Sequence, residues 1–333
     1  MRLVPWAKRY GRWLFLAAGL AAAAALVVQA GPRRLWEVLV QAGPVIPAII
    51  ALDALWMSFE AAALLVTYGP ARRNIPAREL ARSVVTTYAT MAILPVGRVG
   101  AEIARAAILA PYVGSQKVAA GAARIQILVL LANSVVCVPC FLASGLLGGW
   151  TSGLSLLLAG NFFANGVLGL GLLLLSRNIR VGGWLGKKFE RMVHWGPELD
   201  EELRRGPAMP PLPALLALAG RTAQAFEYGL VLAVAGGMAM TLSGSLLAEG
   251  IHIAAAGLGD AVPNQVGISE GMYRLFAGEL GLGAHPERAL AIPIIIRAAN
   301  FVAAGICFAL IAIWPKSPAP RSAPGPAVET PPA

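Results

Sequence analysis

Six long apolar runs recur along the chain, and they limit its possible folds more than any other feature. About 20 consecutive apolar residues allow a helix to cross the hydrocarbon core of a bilayer. Helices are expected because a spanning segment must satisfy its backbone hydrogen bonds within the protein. The predicted spans are residues 13–30, 44–68, 119–143, 153–176, 213–240 and 289–314. The sequence therefore predicts an all-α polytopic integral membrane protein, with residues 1–314 as one membrane domain.

The overall composition agrees with this fold class. Hydrophobic residues make up 57% of the chain and charged residues only 13%, and the mean hydropathy is +0.68. A soluble domain carries about 25% charged residues. The formal charge of +10 could suggest a nucleic-acid partner, but the basic residues fall in short loops and not on one face. We expect no nucleic-acid partner.

The basic residues also predict the orientation of the chain. Lys and Arg gather before the first span, in residues 69–82 and in residues 177–211, whereas residues 144–152 and 241–259 contain none. The positive-inside rule puts the basic loops and both termini in the cytoplasm. Residues 177–211 then form a cytoplasmic loop, and the residues 315–333, rich in Pro, Ala and Ser, are expected to be disordered.

The first span has a second interpretation. Four basic residues precede its apolar core, and Val28-Gln29-Ala30 resembles the cleavage site of a secretory signal peptide. The first spans of polytopic proteins share these features. Residues 13–30 are therefore either a retained span or a cleaved signal.

Two further apolar stretches begin and end on the same side of the membrane in this topology. Residues 83–117 return to the cytoplasm, and residues 241–288 return to the outside. Each is expected to be a re-entrant hairpin, with irregular backbone buried in protein or facing a wet cavity. Together with the spans, they divide the chain into halves of about residues 13–143 and 153–314.

The two hairpins carry similar charged patterns. Gly100, Glu102 and Arg105 in the first stretch match Gly267, Glu270 and Arg274 in the second at a nearly constant offset. An arginine follows in the early part of the next span in each half, Arg124 and Arg297. Three crossings per half would orient the halves oppositely. This is the inverted-repeat plan of many secondary transporters, which bind their substrates at broken helices.

The charged residues of the hairpins point to phosphate chemistry. Gly and Pro at the start of a short helix leave N–H groups free to bind an anion, and arginine offers a planar fork for two phosphate oxygens. The alternative is structural, in which Glu–Arg pairs neutralise one another or arginines reach headgroups at the surface. The candidate substrate-binding residues are Arg98, Glu102, Arg105, Arg124, Asn264, Gln265, Glu270, Arg274 and Arg297.

At these motifs the chain resembles the lysylphosphatidylglycerol synthase transmembrane, or flippase-like, family. The first motif is Gly100-Ala101-Glu102-Ile103-Ala104-Arg105, with one residue more between Gly and Glu than is usual in the family. The second runs from Pro263 to Glu270, with Asn264-Gln265 in place of a Gly pair. The resemblance implies a bacterial inner-membrane protein that moves or presents a phospholipid, glycolipid or hopanoid-type lipid. The soluble synthase domain of some members is absent from residues 1–333, so no enzyme activity is expected.

Other polar residues leave several interpretations open. Cys137 and Cys140 have redox-like spacing but are more simply two buried small residues, and the three histidines lack metal-ligand spacing. We expect no metal and no other cofactor. Acidic and polar residues within the second and fifth spans serve either proton coupling or helix packing. These are Asp53, Glu60, Arg221, Gln224 and Glu227.

Three functional classes remain. The repeat and the phosphate-suited hairpins favour a lipid flippase or lipid transporter with an intramembrane cavity. The second class is a non-transporting membrane scaffold. It would use the same basic hairpins to bind either lipid or a lipid-synthesis enzyme. A transporter of small solutes or ions is the third class.

Overall fold

The computed structural model describes residues 32–93, 97–189, 193–205, 207–259, 265 and 267–314. All regular secondary structure in these ranges is helical. The helices are α1 (Pro32–Ala42), α2 (Ile46–Thr67), α3 (Ala77–Ile93), α4 (Gly97–Val113), α5 (Ser115–Gly148), α6 (Gly153–Asn178), α7 (Val181–Lys188), α8 (Trp195–Arg204), α9 (Pro211–Gly236), α10 (Leu242–Gly259), α11 (Ile268–Leu275) and α12 (Pro286–Ile313). The all-α prediction is confirmed for this part of the chain. The predicted first span and the tail 315–333 lie outside it.

Within the described ranges, four helices are long and apolar enough to cross a membrane. They are Val40–Thr67, Ser115–Gly148, Gly153–Asn178 and Arg288–Ile313. Each overlaps one predicted span. These helices are compatible with a membrane protein, because each is longer than the roughly 20 apolar residues that are needed to cross a bilayer.

The predicted fifth span corresponds to α9, which differs from these four helices in composition. Its 26 residues suffice for about 39 Å of helix. Arg221, Gln224 and Glu227 lower its apolar content, and the side chains of Gln224 and Glu227 are buried in the protein. The helix ends because Gly237 takes a left-handed conformation and its N–H bonds back to Val234. α9 is therefore a mostly apolar helix that places a few polar side chains in the interior of the bundle.

Helix packing follows a pattern that is preserved when two sets of helices are exchanged. α2 packs against α9, α3 packs against α12, and α5 packs against α10. α4 packs against α5, as α11 packs against α12. When α2, α3, α4 and α5 are exchanged in order with α9, α10, α11 and α12, the α3–α12 contact becomes the α5–α10 contact, and the α4–α5 contact becomes the α11–α12 contact. The α2–α9 contact is unchanged by the exchange. The contact between α3 and α4 likewise corresponds to that between α10 and α11.

Small residues allow the central helices to approach closely. A side chain on Gly229 of α9 would begin 1.9 Å from the hydroxyl oxygen of Ser245 on α10. Gly250 of α10 similarly meets Cys140 and Leu158. In a bilayer, van der Waals packing of such small residues is a main source of helix association. The close contact brings the polar residues of α9 and α10 into the same interior space.

The segment predicted as a cytoplasmic loop contains the two short helices α7 and α8. Asp200 of α8 accepts hydrogen bonds from the backbone N–H groups of Gly182 and Gly183, at 2.7 and 2.8 Å. These N–H groups lie in the first turn of α7, where helical partners are lacking. The carboxylate thus fixes α7 against α8 beside the end of α6.

Candidate functional site

The first charged cluster forms where α4 begins. Arg98, Glu102 and Arg105 share one face of α4 because they are four and three residues apart. Glu60 of α2 accepts a hydrogen bond from each arginine, at 2.9 Å from Arg98 and 3.0 Å from Arg105. Arg105 also donates to both oxygens of Glu102 and to the hydroxyl of Thr87 on α3. The cluster therefore joins α2, α3 and α4.

The four ionised side chains of this cluster balance in charge. Arg105 is only 2% exposed, and its buried guanidinium directs all three nitrogens at acceptors. Arg98 is 28% exposed and Glu102 is 20% exposed. An arginine in an apolar interior requires compensation by an opposite charge. Arg105 is thus the internal anchor, while Arg98 is the arginine that a ligand can reach.

The second charged cluster forms at the start of α11. Gly267 has a φ of +81°, and its backbone N–H donates to Glu270 Oε2 at 2.8 Å. Both terminal nitrogens of Arg297 on α12 bond to the Glu270 carboxylate, and Nη2 also reaches the backbone carbonyl of Gln265 at 3.3 Å. Glu270 therefore pairs with Arg297, while Arg274 is exposed in the last turn of α11.

A polar cavity of about 130 Å³ adjoins this second cluster. Helices α9, α10, α11 and α12 all contribute to its wall. The lining residues are Tyr228, His252, Gln265, Ser269, Tyr273, Pro293, Ile296, Arg297 and Asn300. Hydroxyl, amide, imidazole and guanidinium groups thus converge on one small space among apolar helices.

Hydrogen bonds lie within the wall of this cavity and between the wall and the rest of the interior. The Tyr228 hydroxyl lies 2.7 Å from His252 Nδ1 in the cavity wall. The hydroxyl of Tyr88 on α3 donates to Asp53 of α2 at 2.7 Å and lies 3.2 Å from Asn300 Oδ1. Because Asn300 also lines the cavity, the interaction links the first group of helices to the second.

The structure does not bring every predicted residue to these clusters. Arg124 donates to the backbone carbonyls of Glu202, Leu203 and Arg205, which end α8. The last carbonyls of a helix lack partners within it, and a cation satisfies them well. Arg124 thus caps α8 and does not share a site with Arg297. Asn264 lies outside the described residues.

The sequence patterns do not point to several polar residues that the structure places in the interior. Glu249 is the single acidic residue in the apolar helix α10, and that isolation is the signal that could identify it. His252, Tyr88 and Asn300 belong to no local pattern that would mark them as interior polar contacts. In the described part of the chain, no group of three or more His, Cys, Asp or Glu side chains is placed to hold a metal ion. Cys137 and Cys140 are buried free thiols.

Comparisons of the chain with protein-family models, curated proteins and solved structures gave no match. The resemblance to the flippase-like family therefore rests on the motif residues alone. The functional argument has to come from the geometry of the two clusters and of the cavity.

Loss of the internal anchor should destabilise the protein. Arg105→Gln leaves Glu60 and the partly buried Glu102 with Arg98 as the one cation between them, and breaking a buried ion pair in this way costs about 3–5 kcal/mol in the free energy of unfolding. Arg33→Gln is the matched control, because Arg33 pairs with Glu37 on the surface. Thermal unfolding of the detergent-solubilised proteins should show a clear loss for Arg105→Gln and little change for the control. Equal transition temperatures for wild type and Arg105→Gln would contradict the anchoring role.

Proposed function

We propose that this protein is a lipid flippase or lipid transporter of the bacterial inner membrane, and that it binds a phosphate-bearing headgroup in its interior. The observation that carries the proposal is the polar cavity beside Arg297, enclosed by helices with apolar exteriors. Its membrane substrate would be a phospholipid, a glycolipid or a hopanoid-type lipid. A lipid-synthesis enzyme is a further possible partner.

The cavity suits a phosphate group in both size and chemistry. A volume of 130 Å³ corresponds to the share of about four water molecules in the liquid. The guanidinium of Arg297 and the hydroxyls of Ser269 and Tyr228 can donate hydrogen bonds to phosphate oxygens. Only the polar end of a lipid fits this space, so the acyl chains would remain outside.

An apolar groove between α5, α6 and α9 offers a surface for acyl chains. Its volume is about 430 Å³, and its wall includes Leu131, Phe162, Val167 and Leu215. Very little of the wall is polar, as hydrocarbon contact requires. A lipid with its headgroup in the polar interior could rest its chains along such a surface.

The ion pairs make the proposed binding reversible. Arg98 and Arg297 already have carboxylate partners, so an incoming phosphate must displace or share Glu60, Glu102 or Glu270. This exchange lowers the net gain from binding, because one charge-assisted bond replaces another. A carrier benefits from such weak binding, since it must also release its substrate.

The exchangeable packing of the two helix sets supports an inverted repeat. In this proposal α3 and α4 form one re-entrant hairpin, and α10 and α11 form the other. α9 and the first segment, residues 13–30, complete the six spans. The clusters at Arg98 and Arg297 would then belong to hairpins that enter from opposite faces.

A lipid-binding scaffold is the second candidate function. It is favoured by the charge balance of the first cluster, because four mutually paired side chains are enough to hold a hairpin in place. A scaffold needs no polar cavity among α9, α10, α11 and α12. Movement of lipid by the purified protein separates the two functions.

The inverted topology predicts how single cysteines will label. In a cysteine-free background, Ala77→Cys and Ser115→Cys flank the first hairpin, and Met240→Cys and Ala284→Cys flank the second; all four positions are exposed. A membrane-impermeant thiol reagent should reach the first pair only from the cytoplasmic side and the second pair only from outside. Opposite labelling of two flanks of one hairpin would rule out its re-entrant form.

The transport proposal predicts a specific loss on substitution of Arg297. Wild-type protein in phospholipid vesicles should move a fluorescent phospholipid between leaflets, measured by the fraction that an impermeant quencher destroys. Arg297→Gln should slow this movement at least about tenfold, because a charge-assisted hydrogen bond contributes about 1.5–3 kcal/mol. Arg297→Lys should recover part of the rate, since lysine keeps the charge but lacks the fork.

Arg274→Gln provides the matched control for this experiment. It removes the same charge from the exposed face of α11 and leaves the cavity wall intact. Its rate should equal that of the wild type, and all variants should keep the wild-type gel-filtration profile. A folded Arg297→Gln protein with the wild-type rate would contradict headgroup binding at Arg297. Absence of phospholipid movement by the wild type would favour the scaffold.

A further inference from the structure

Three carboxylates lie in the interior outside the two charged clusters. Asp53 of α2, Glu227 of α9 and Glu249 of α10 are 4%, 2% and 0% exposed. Glu227 Oε2 and both oxygens of Glu249 are buried without a hydrogen-bond partner in the described part of the chain. α9 packs against both α2 and α10, which brings Glu227 near enough to Asp53 and to Glu249 for their charges to interact, so the three belong to one electrostatic group.

The surroundings of this group hold little positive charge. The titratable, charged and polar groups that act on it or on Arg221 come from α2, α3, α4, α5, α9, α10, α11 and α12: Glu60, Tyr88, Arg98, Cys137, Cys140, Arg221, Tyr228, His252, Tyr273, Asn300 and Cys307. Arg98 is paired with Glu60 in the first cluster, so Arg221 is the remaining permanent positive charge among these described residues. It donates to Gln224 at 2.6 Å and interacts electrostatically with Glu249.

The balance of charge decides the state of the three carboxylates. If all three were ionised, Arg221 would compensate one and leave two negative charges in the interior. An uncompensated buried charge costs several kcal/mol and is normally removed by protonation or by binding a cation. The described residues offer no arrangement of three or more acidic, His or Cys ligands for a metal ion. A proton needs only one carboxylate, so protonation is the compensation open to these side chains.

We propose that Asp53, Glu227 and Glu249 form a proton-binding site that holds two protons at neutral pH, with Arg221 compensating the third carboxylate. Asp53 is the carboxylate that stays ionised, because it accepts the Tyr88 hydroxyl at 2.7 Å. Glu227 and Glu249 carry the protons, since their unpartnered oxygens have no donor to stabilise a negative charge.

The site is placed to link proton binding to the polar cavity. Tyr88 contacts both Asp53 and Asn300, and Asn300 lines the cavity beside Arg297. Tyr228, the neighbour of Glu227 in sequence, contributes to the same wall. Loss of a proton from Glu227 would add a negative charge behind this wall and weaken the binding of an anionic headgroup. This coupling role rests on the proposed function, whereas proton binding itself does not.

Infrared spectroscopy of the full-length protein in a detergent without ester or carboxyl groups tests the site directly. A protonated carboxyl group has a carbonyl stretch distinct from that of a carboxylate, and exposed Asp and Glu are ionised at neutral pH. The wild type should show this band at neutral pH. Glu227→Gln and Glu249→Gln should each reduce its area to about half, because each removes one of two protons, and the double variant should abolish it.

Two further variants separate the proposed site from nonspecific effects. Arg221→Gln should increase the band by about half, because the group then has no positive charge to balance its third carboxylate, which binds a proton instead. Glu201→Gln, which removes an exposed carboxylate from α8, should leave the band unchanged.

The proposal is overturned if the wild type lacks the band at neutral pH or if the double variant retains its full area. An unchanged band in Arg221→Gln would overturn the role of that arginine. The measurement does not involve lipid, so the two proposals can fail separately. Protein that moves phospholipid without the band refutes only the proton site, and protein with the band that moves no lipid refutes only the transport.

Discussion

Arg105 sits in the interior of a helical bundle, and the energetic cost of its charge organises the helices around it. Its guanidinium takes acceptors from α2, α3 and α4, so these three helices must meet at one point. Glu60 serves Arg98 as well, which positions the start of α4 against the middle of α2. In an apolar environment no water replaces a missing partner. The ion pairs therefore fix how α4 packs against α2 and α3.

The same requirement produces a different result in the centre of the bundle. At α11 and α12, Glu270 and Arg297 again form a balanced pair beside a helix start. Outside the two clusters, the interior holds the three carboxylates of Asp53, Glu227 and Glu249 but only the one arginine Arg221, so the acidic and basic side chains of this group are unequal in number. Paired charges give fixed contacts, whereas unpaired carboxylates respond to proton binding. An interior of this composition suits a protein that changes state while it handles a charged molecule.

The parts of this arrangement that depend on local sequence could be predicted. Apolar length predicts the four membrane-competent helices of the described residues, and the expected Gly-started helices are α4, which begins at Gly97, and α11, which follows Gly267. The spacing of Glu102 and Arg105 fixes their pairing on one helical face. These features depend on residues within a few turns of one another.

The remaining features depend on which helices become neighbours. Glu60 pairs with residues 38 and 45 positions away, and no local pattern specifies that contact. Arg124 is recruited by the exposed carbonyls at the end of α8, although its position in the sequence suggested a counterpart to Arg297. Glu249 gains significance only beside Glu227 and Arg221, on a helix that otherwise looks like ordinary apolar packing. The sequence identifies these residues, but it does not show which of them come into contact in the folded protein.

Photocrosslinking tests the central claim, that a lipid headgroup enters the polar interior. A phospholipid with a photoreactive group in its headgroup would be incorporated into vesicles with the purified full-length protein, and the modified peptides mapped by mass spectrometry. The account predicts crosslinks in the cavity wall, at Ser269 of α11 and Asn300 of α12. Crosslinks restricted to outward-facing residues such as Phe163 and Leu168 of α6, with none in the cavity wall, would contradict it.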